Sequence, residues 1–118
     1  MIEVDEAAFE RVVGEEFDSL PAEMIDGLQN VAVVIEDEAV DAEPGEVLLG
    51  RYQGVDLTRR GQYGFGELPD RIVLFRLAHL ESADSVDQLR AELHTTLVHE
   101  IGHYFGIDDD RLHELGWA

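Results

Sequence analysis

The sequence predicts an α+β domain in which a small mixed β-sheet of three to four strands packs against an N-terminal helix and a C-terminal helix. Three observations support this prediction: an amphipathic stretch opens the chain, short β-branched runs occupy its middle, and a long stretch with helical periodicity lies near its end. The 118 residues are enough for one hydrophobic core but not for two, so we assign residues 1–118 to a single domain.

Two helices are predicted before the first strand. The first covers residues 5–18, where the apolar residues recur at helical spacing and define one face: Phe9, Val12, Val13 and Phe17. A short second helix follows, with Pro21 in its first turn and either Gly27 or Asn30 closing it.

The middle of the chain predicts the strands. Residues 31–37 form a β-branched run bounded by acidic turn residues, which predicts a strand buried on both faces. Residues 46–54, after a Pro-Gly turn, and residues 71–77 predict two more strands. The glycine-rich segment between them is unsuited to a helix interior, and residues 62–68 within it predict a short or edge strand.

A long helix is predicted from Ser85 to Phe105. Ser85 is suited to the N-cap, and Gln88 three residues later completes the pattern of a capping box. Apolar residues then follow at steps of three or four on one side of the helix: Val86, Leu89, Leu93, Leu97, Ile101 and Phe105. Gly106 marks the C-terminal end, and a last short helix is predicted at about residues 110–115.

The composition restricts the classes of partner. The chain has 27 acidic and 8 basic residues, a net charge of −19, which repels nucleic-acid phosphates and anionic membranes. Without cysteine it has neither disulfides nor thiolate metal sites. The acidic N-terminus is unlike a secretory signal, and no apolar run approaches the roughly 18 residues of a membrane span. We therefore expect a cytoplasmic protein with neither nucleic acid nor membrane as a partner.

Two histidines on the long helix indicate a metal site. At about 100° per residue, His99 points about 160° away from the apolar stripe, and His103 points about 40° from His99. Two imidazoles at this spacing can bind one Zn²⁺ ion at about 2.0 to 2.1 Å. Glu100 projects near the same side, within reach of a metal-bound water. The alternative interpretation is an ordinary solvent-facing helical surface.

The motif extends beyond the histidine pair. His99, Glu100, His103, Gly106 and Asp109 spell HExxHxxGxxD, which resembles the extended zinc motif of metzincin-type metallopeptidases in the variant with aspartate as third ligand. A left-handed Gly106 permits the chain to turn back towards the ion. Three protein ligands leave a fourth position for water, as in catalytic zinc sites.

The whole chain resembles the bacterial minimal zincin family of predicted zinc metallopeptidases. The resemblance rests on the string HEIGHYFGIDDDRLHELG and on the order of the elements before it. This resemblance implies a zincin-like fold, a peptide or protein substrate, and Zn²⁺ bound by His99, His103 and Asp109. By the same resemblance, residues 62–68 are the edge strand that pairs with extended substrate. Metzincins also have a methionine turn after the motif, but Met1 and Met24 both precede it here.

The expected reaction is hydrolysis of a peptide bond. Zinc lowers the pKa of its bound water, and Glu100 acts as general base and then passes the proton to the leaving amine. Which aspartate binds the metal stays open, because Asp108 and Asp110 flank Asp109 and any of the three can cap the last helix.

The remaining ionisable residues have ordinary structural interpretations. Three other histidines are expected at the surface or half buried: His79, His94 and His113. Glu92 lies on the metal-facing side and is interpreted as a solvated carboxylate, with contact to a metal ligand as the alternative. Arg59 and Arg60 form an isolated basic pair, expected on a loop surface.

Two other functions fit the same motif. One is a metal-dependent endoribonuclease of the ribosomal-RNA-maturation type, whose three-histidine motif has the same spacing. That family lacks the glutamate after its first histidine, and the acidity of this chain opposes RNA binding. The other is a zinc-binding interaction module with little turnover.

Overall fold

A computed structural model of the protein describes residues 1–54 and 70–116. The predicted strand at 62–68 and the Arg59-Arg60 pair lie outside these described residues. Within them the elements follow in this order: α1 (Glu6–Asp18), α2 (Ala22–Asp26), β1 (Val31–Glu36), β2 (Gly50–Gln53), β3 (Asp70–Phe75), α3 (Arg76–Ser82), α4 (Val86–Phe105) and α5 (Asp109–Glu114). The predicted α+β class is confirmed.

The N-terminal helices form as their sequences indicate. Asp5 caps α1, because its carboxylate accepts a hydrogen bond from the Ala8 N–H at 2.8 Å. The buried residues of α1 are Phe9, Val12 and Val13. Pro21 occupies the N-cap of α2 instead of its first turn, and Gly27 is the C-cap. A Cβ atom at Gly27 would lie 2.8 Å from Cζ of Phe105, so glycine allows α2 to pack closely on the end of α4.

The three described strands form one mixed sheet in the order β1-β3-β2. β1 pairs with β3 in parallel, and β2 pairs with β3 in antiparallel orientation. The central strand is the most buried, with Ile72 and Leu74 both at 0% exposure. A parallel pair needs a long crossover between its strands, which agrees with β1 and β3 being non-consecutive.

The structure corrects three details of the predicted strands. β1 is half buried along most of its length, not buried on both faces, since it lies at one end of the described sheet and α4 packs on β2 and β3. β2 is shorter than predicted. β3 ends at Phe75, and the helix α3 begins at Arg76, where the apolar run had predicted that the strand continues.

The long helix α4 organises the core. It packs against α1, α3 and both β2 and β3, and Leu89, Leu93 and Leu97 are fully buried. Ser85 is the N-cap and accepts a hydrogen bond from the Gln88 N–H at 3.1 Å. The Gln88 side chain accepts from the N–H of Asp84 instead of Ser85, so the predicted capping box closes one residue early.

Arg90 joins α4 to α1 at the surface through ion pairs with Glu15 at 2.6 Å and Glu16 at 3.1 Å. These contacts orient the two helices and lower the pKa of Glu15. Across residues 1–54 and 70–116, every helix is too short or too polar to span a membrane.

Candidate metal centre

The C-terminal half of α4 brings together three side chains of types that can hold a metal ion. His99, Glu100 and His103 each offer a ligand atom, and these atoms all lie within 4.8 Å of one another. The two imidazole rings are stacked edge to face, with 4.5 Å between their centroids. Both rings are accessible, since 41% of the His99 side chain and 48% of the His103 side chain are exposed. The predicted histidine pair therefore faces outward from the core.

Glu100 differs from its two neighbours because it is buried, with 6% of the residue exposed. Its Oε1 atom lies 3.1 Å from Nδ1 of His103, which fixes the carboxylate beside the histidine pair. The helical wheel placed Glu100 near the histidine side and did not predict this burial. The β-sheet covers the Glu100 side chain, and a helical wheel does not show contacts with other elements.

Gly50 at the start of β2 makes this arrangement possible. A Cβ atom at Gly50 would lie 2.6 Å from Cγ2 of Thr96 and 3.6 Å from Cγ of Glu100. Because the first of these distances is shorter than real Cβ contacts, a side chain at position 50 would force either the Thr96 side chain or β2 itself to move. Sequence reasoning missed this residue, since nothing in the sequence shows that it opposes Glu100.

The turn after α4 has the predicted geometry. Gly106 adopts the left-handed conformation with φ of 71°. The Ile107 N–H donates to the Gly102 carbonyl at 2.8 Å, and the Gly106 N–H donates to the His103 carbonyl at 3.1 Å. This pair of hydrogen bonds is a Schellman motif, which ends the helix and reverses the chain towards His99.

The three consecutive aspartates occupy different positions. Asp108 is the N-cap of α5 and accepts a hydrogen bond from the Arg111 N–H at 2.9 Å. Asp109 extends towards the metal centre, with Oδ1 at 2.9 Å from Nδ1 of His99. Asp110 is an exposed residue in the first turn of α5. Asp109 thus contacts one predicted ligand, although it lies outside the group of three with atoms within 4.8 Å.

His79 corrects another prediction, because it is fully buried instead of lying at the surface or half buried. Its Nδ1 atom is 3.7 Å from Oε2 of Glu92, beyond hydrogen-bond distance. Burial lowers the pKa of His79 to about 4, opposed by the nearby Leu49 carbonyl, and burial raises the pKa of Glu92. Glu92 therefore lies beside a buried histidine rather than in solvent.

His94 is half buried and His113 exposed, and neither belongs to the metal-ligating group.

The donor set of the candidate centre fits zinc. Two imidazoles and a neighbouring carboxylate are nitrogen and oxygen donors, which Zn²⁺ binds readily. The exposure of His99 and His103 allows an ion to reach their rings, while buried Glu100 holds its carboxylate close to both. The histidines come from successive turns of one helix, so the spacing between them is rigid.

A family model described as zincin-like metallopeptidase matches residues 28–117, which include the sheet, α4 and the candidate centre. This chain belongs to the zincin-like metallopeptidase family. A solved structure of a conserved hypothetical protein from Thermus thermophilus is similar to this zincin-like chain, with a TM-score of 0.60 and 28% sequence identity. The match covers 95% of this chain and 97% of the other. No curated protein matches it significantly.

The comparisons confirm the family and the zincin-like fold that the motif predicted. The zincin-like chain has a metallopeptidase-type fold with a candidate His/Glu/His metal site at the expected place in α4. The family match also favours the metallopeptidase interpretation of the motif over the endoribonuclease interpretation.

Proposed function

We propose that this protein is a zinc-dependent metallopeptidase that hydrolyses peptide bonds in a peptide or protein substrate. The observation that carries the proposal is that the ligand atoms of His99, Glu100 and His103 lie within 4.8 Å of one another in a member of the zincin-like family. Two exposed histidines and a buried carboxylate on one rigid helix provide both ion binding and acid–base chemistry.

In this proposal His99 and His103 bind the ion, and Asp109 is the third ligand. Asp109 is the aspartate that contacts His99, while the carboxylate of Asp108 is occupied by capping α5. The contact between Asp109 and His99 also supports a second role, in which the carboxylate accepts a hydrogen bond from the ring and orients it. Substitution of Asp109 separates these roles, because loss of a ligand reduces zinc affinity more than loss of an orienting hydrogen bond.

Glu100 is the proposed general base. A bound zinc ion supplies Lewis acidity, which lowers the pKa of a water ligand and polarises a carbonyl group. Glu100 accepts the proton of the attacking water and returns it to the nitrogen of the leaving amine, so the products are a carboxylic acid and an amine. Its burial beside Gly50 holds the carboxylate in place during both transfers.

Metal analysis and peptide hydrolysis test the proposal together. The protein is purified without chelators, its zinc content is measured, and cleavage of a peptide library is followed by mass spectrometry. Zinc at about one equivalent per chain is expected. Glu100→Gln keeps the shape of the buried side chain and removes its basicity, so we expect retained zinc and a fall in cleavage rate of about 10²-fold or more.

Matched controls come from the same helix. His99→Ala is expected to lose zinc, whereas His94→Ala removes a half-buried histidine outside the metal-ligating group and keeps both zinc and activity. A protein that neither retains zinc nor gains it on titration contradicts the proposal. If the protein retains zinc but shows no cleavage that Glu100→Gln reduces, the peptidase assignment is contradicted. That outcome favours the zinc-binding interaction module.

A further inference from the structure

A second surface, which shares no lining residue with the candidate metal centre, lies between α1 and β1. It is an open groove with a volume of about 850 Å³. Its apolar floor consists of Val13, Phe17, Val31, Val33 and Ile35. We propose that this groove docks a cationic, partly apolar segment of a partner protein.

Among residues 1–54 and 70–116, the helices leave part of the sheet uncovered, and this forms the groove. Val33 pairs in register with Ile72, so the odd-numbered residues of β1 share the face that forms the core. On that face α4 packs on β2 and β3, and α1 packs on α4. The inner face of β1 therefore remains half buried, although its sequence is suited to a strand interior.

The α1 side of the groove is acidic. Glu6, Glu10, Gly14 and Asp18 follow at steps of four and all line the groove, so they form one stripe along the helix. The three acidic residues are exposed, and within the described parts of the chain no ion pair neutralises them. Like charges at this spacing repel each other, as in Glu6 and Glu10. A cationic occupant removes this repulsion.

The opposite side of the groove differs because its charges are already compensated. Asp37 pairs with Arg76 at 3.0 Å, and Glu36 pairs with Arg71 at 3.1 Å. The uncompensated negative charge is thus concentrated along α1, and this asymmetry predicts that the basic side chains of the occupant face α1 while its apolar side chains contact β1.

Gly14 is the second observation that points to an occupant. Glycine in the interior of a helix is unfavourable compared with alanine. Packing within the described part of the chain does not require it here, because a Cβ atom at Gly14 would meet nothing within 4 Å. The residue is exposed and lines the groove. An absent side chain at this point allows the backbone of another segment to approach α1 closely.

Charge and length identify the class of occupant. A second copy of the chain also carries −19 and presents the same acidic stripe, so electrostatic repulsion opposes self-association at the groove. The 13 residues of α1 and the 6 residues of β1 each extend for about 20 Å. An extended segment of about six residues matches this length, with lysine or arginine alternating with β-branched residues.

Binding of a synthetic peptide tests the proposal. The probe is a fluorescein-labelled octapeptide of alternating lysine and valine, and the control peptide alternates lysine and glycine with the same charge. All proteins carry Glu100→Gln so that cleavage cannot consume the probe. Fluorescence anisotropy at about 50 mM salt, where surface charges are weakly screened, is expected to show at least tenfold tighter binding of the lysine–valine peptide.

Gly14→Trp places a large side chain in the groove from a position where its Cβ atom meets nothing within 4 Å. We expect it to weaken probe binding at least tenfold without lowering the melting temperature. The matched variant Ala91→Trp places the same side chain on the exposed surface of α4 and is expected to change binding less than twofold. Equal binding by Gly14→Trp and the parent protein overturns the proposal.

A pair of double variants separates the acidic stripe from the general acidity of the chain. The double variant Glu6→Gln with Glu10→Gln is expected to weaken binding at least fivefold. The control, Glu43→Gln with Asp87→Asn, removes the same charge from exposed positions outside the groove and is expected to weaken binding less than twofold. Equal losses overturn the proposal, as does equal affinity for the two peptides. A concentration-dependent dimer that Gly14→Trp abolishes, seen by sedimentation velocity, assigns the groove to a second copy and also overturns it.

Discussion

Replacement of buried His79 is expected to change how the stability of the protein depends on pH. The imidazole is at 0% exposure, and its ring centroid lies 6.3 Å from that of Phe9. Neither ring nitrogen makes a hydrogen bond of standard geometry among the described residues, and the nearby Leu49 carbonyl only partly offsets the effect of burial. Since the charged imidazole is poorly solvated there, burial lowers the pKa of His79 from 6.5 to about 4.

The sign and size of the effect follow from proton linkage. In the unfolded chain His79 takes up a proton below its ordinary pKa of 6.5, whereas the folded protein resists protonation until about pH 4. Acidification therefore favours the unfolded state across this interval. At about 1.4 kcal/mol per pH unit, the interval between pH 6.5 and 4 would cost about 3.5 kcal/mol. Half of the folded protein is itself protonated at about pH 4, so the contribution to the free energy of unfolding that is lost by then is about 3 kcal/mol. The raised pKa of Glu92 acts in the opposite direction, because the folded protein binds that proton more readily.

Urea unfolding of the parent protein and of His79→Leu, at pH values from 7 to 4, measures this contribution. Both proteins are studied in chelator, so that metal binding does not add its own pH dependence. Leucine also removes two buried nitrogens that have no hydrogen-bond partner, which offsets the cost of repacking at pH 7. We expect similar stability at pH 7 and an advantage for His79→Leu of about 3 kcal/mol at pH 4. Parallel curves for the two proteins would refute the reasoning.

Three glycine substitutions test other parts of the structure by urea unfolding. Gly50→Ala is expected to destabilise the protein by about 1 to 3 kcal/mol, and Thr96→Ser in the same chain, which removes the contacting methyl group, to restore part of the loss. Full stability of Gly50→Ala would contradict the close approach of β2 to α4. Gly106→Ala forces alanine to a φ of 71° and is expected to cost about 1 to 2 kcal/mol. Gly14→Ala, in open space within α1, is expected to stabilise the protein by about 0.5 to 1 kcal/mol, and a loss would show that the space is filled.

Much of the candidate site could be predicted because its residues are close together in the chain. His99 and His103 are four residues apart, so helical periodicity places their rings on one face before any tertiary contact is known. Gly106 requires a left-handed conformation for local reasons, and the structure has it. Asp109 follows this turn and contacts His99, while its role as third ligand stays a prediction.

Other features could not be predicted, because they depend on contacts between distant parts of the chain. The burial of Glu100 depends on the close packing of β2 on α4 at Gly50, and that of His79 on the packing of α3 against α4 with the Phe9 ring nearby. A helical wheel represents one helix in isolation, so it cannot show which polar residues another element will cover. For the same reason the β-branched run predicted the strand β1 but did not show that its inner face would be only half buried.

The class of the fold, the long helix, its C-terminal turn and the histidine pair follow from the sequence of this protein, because periodicity, capping and the HExxH spacing depend on residues within about one or two helical turns. The enclosure of Glu100, the isolation of His79 and the groove beside α1 arise only when sheet and helices assemble. These features depend on which surfaces the packing covers. Desolvation and solvent exposure are therefore properties of the assembled chain and not of any one segment.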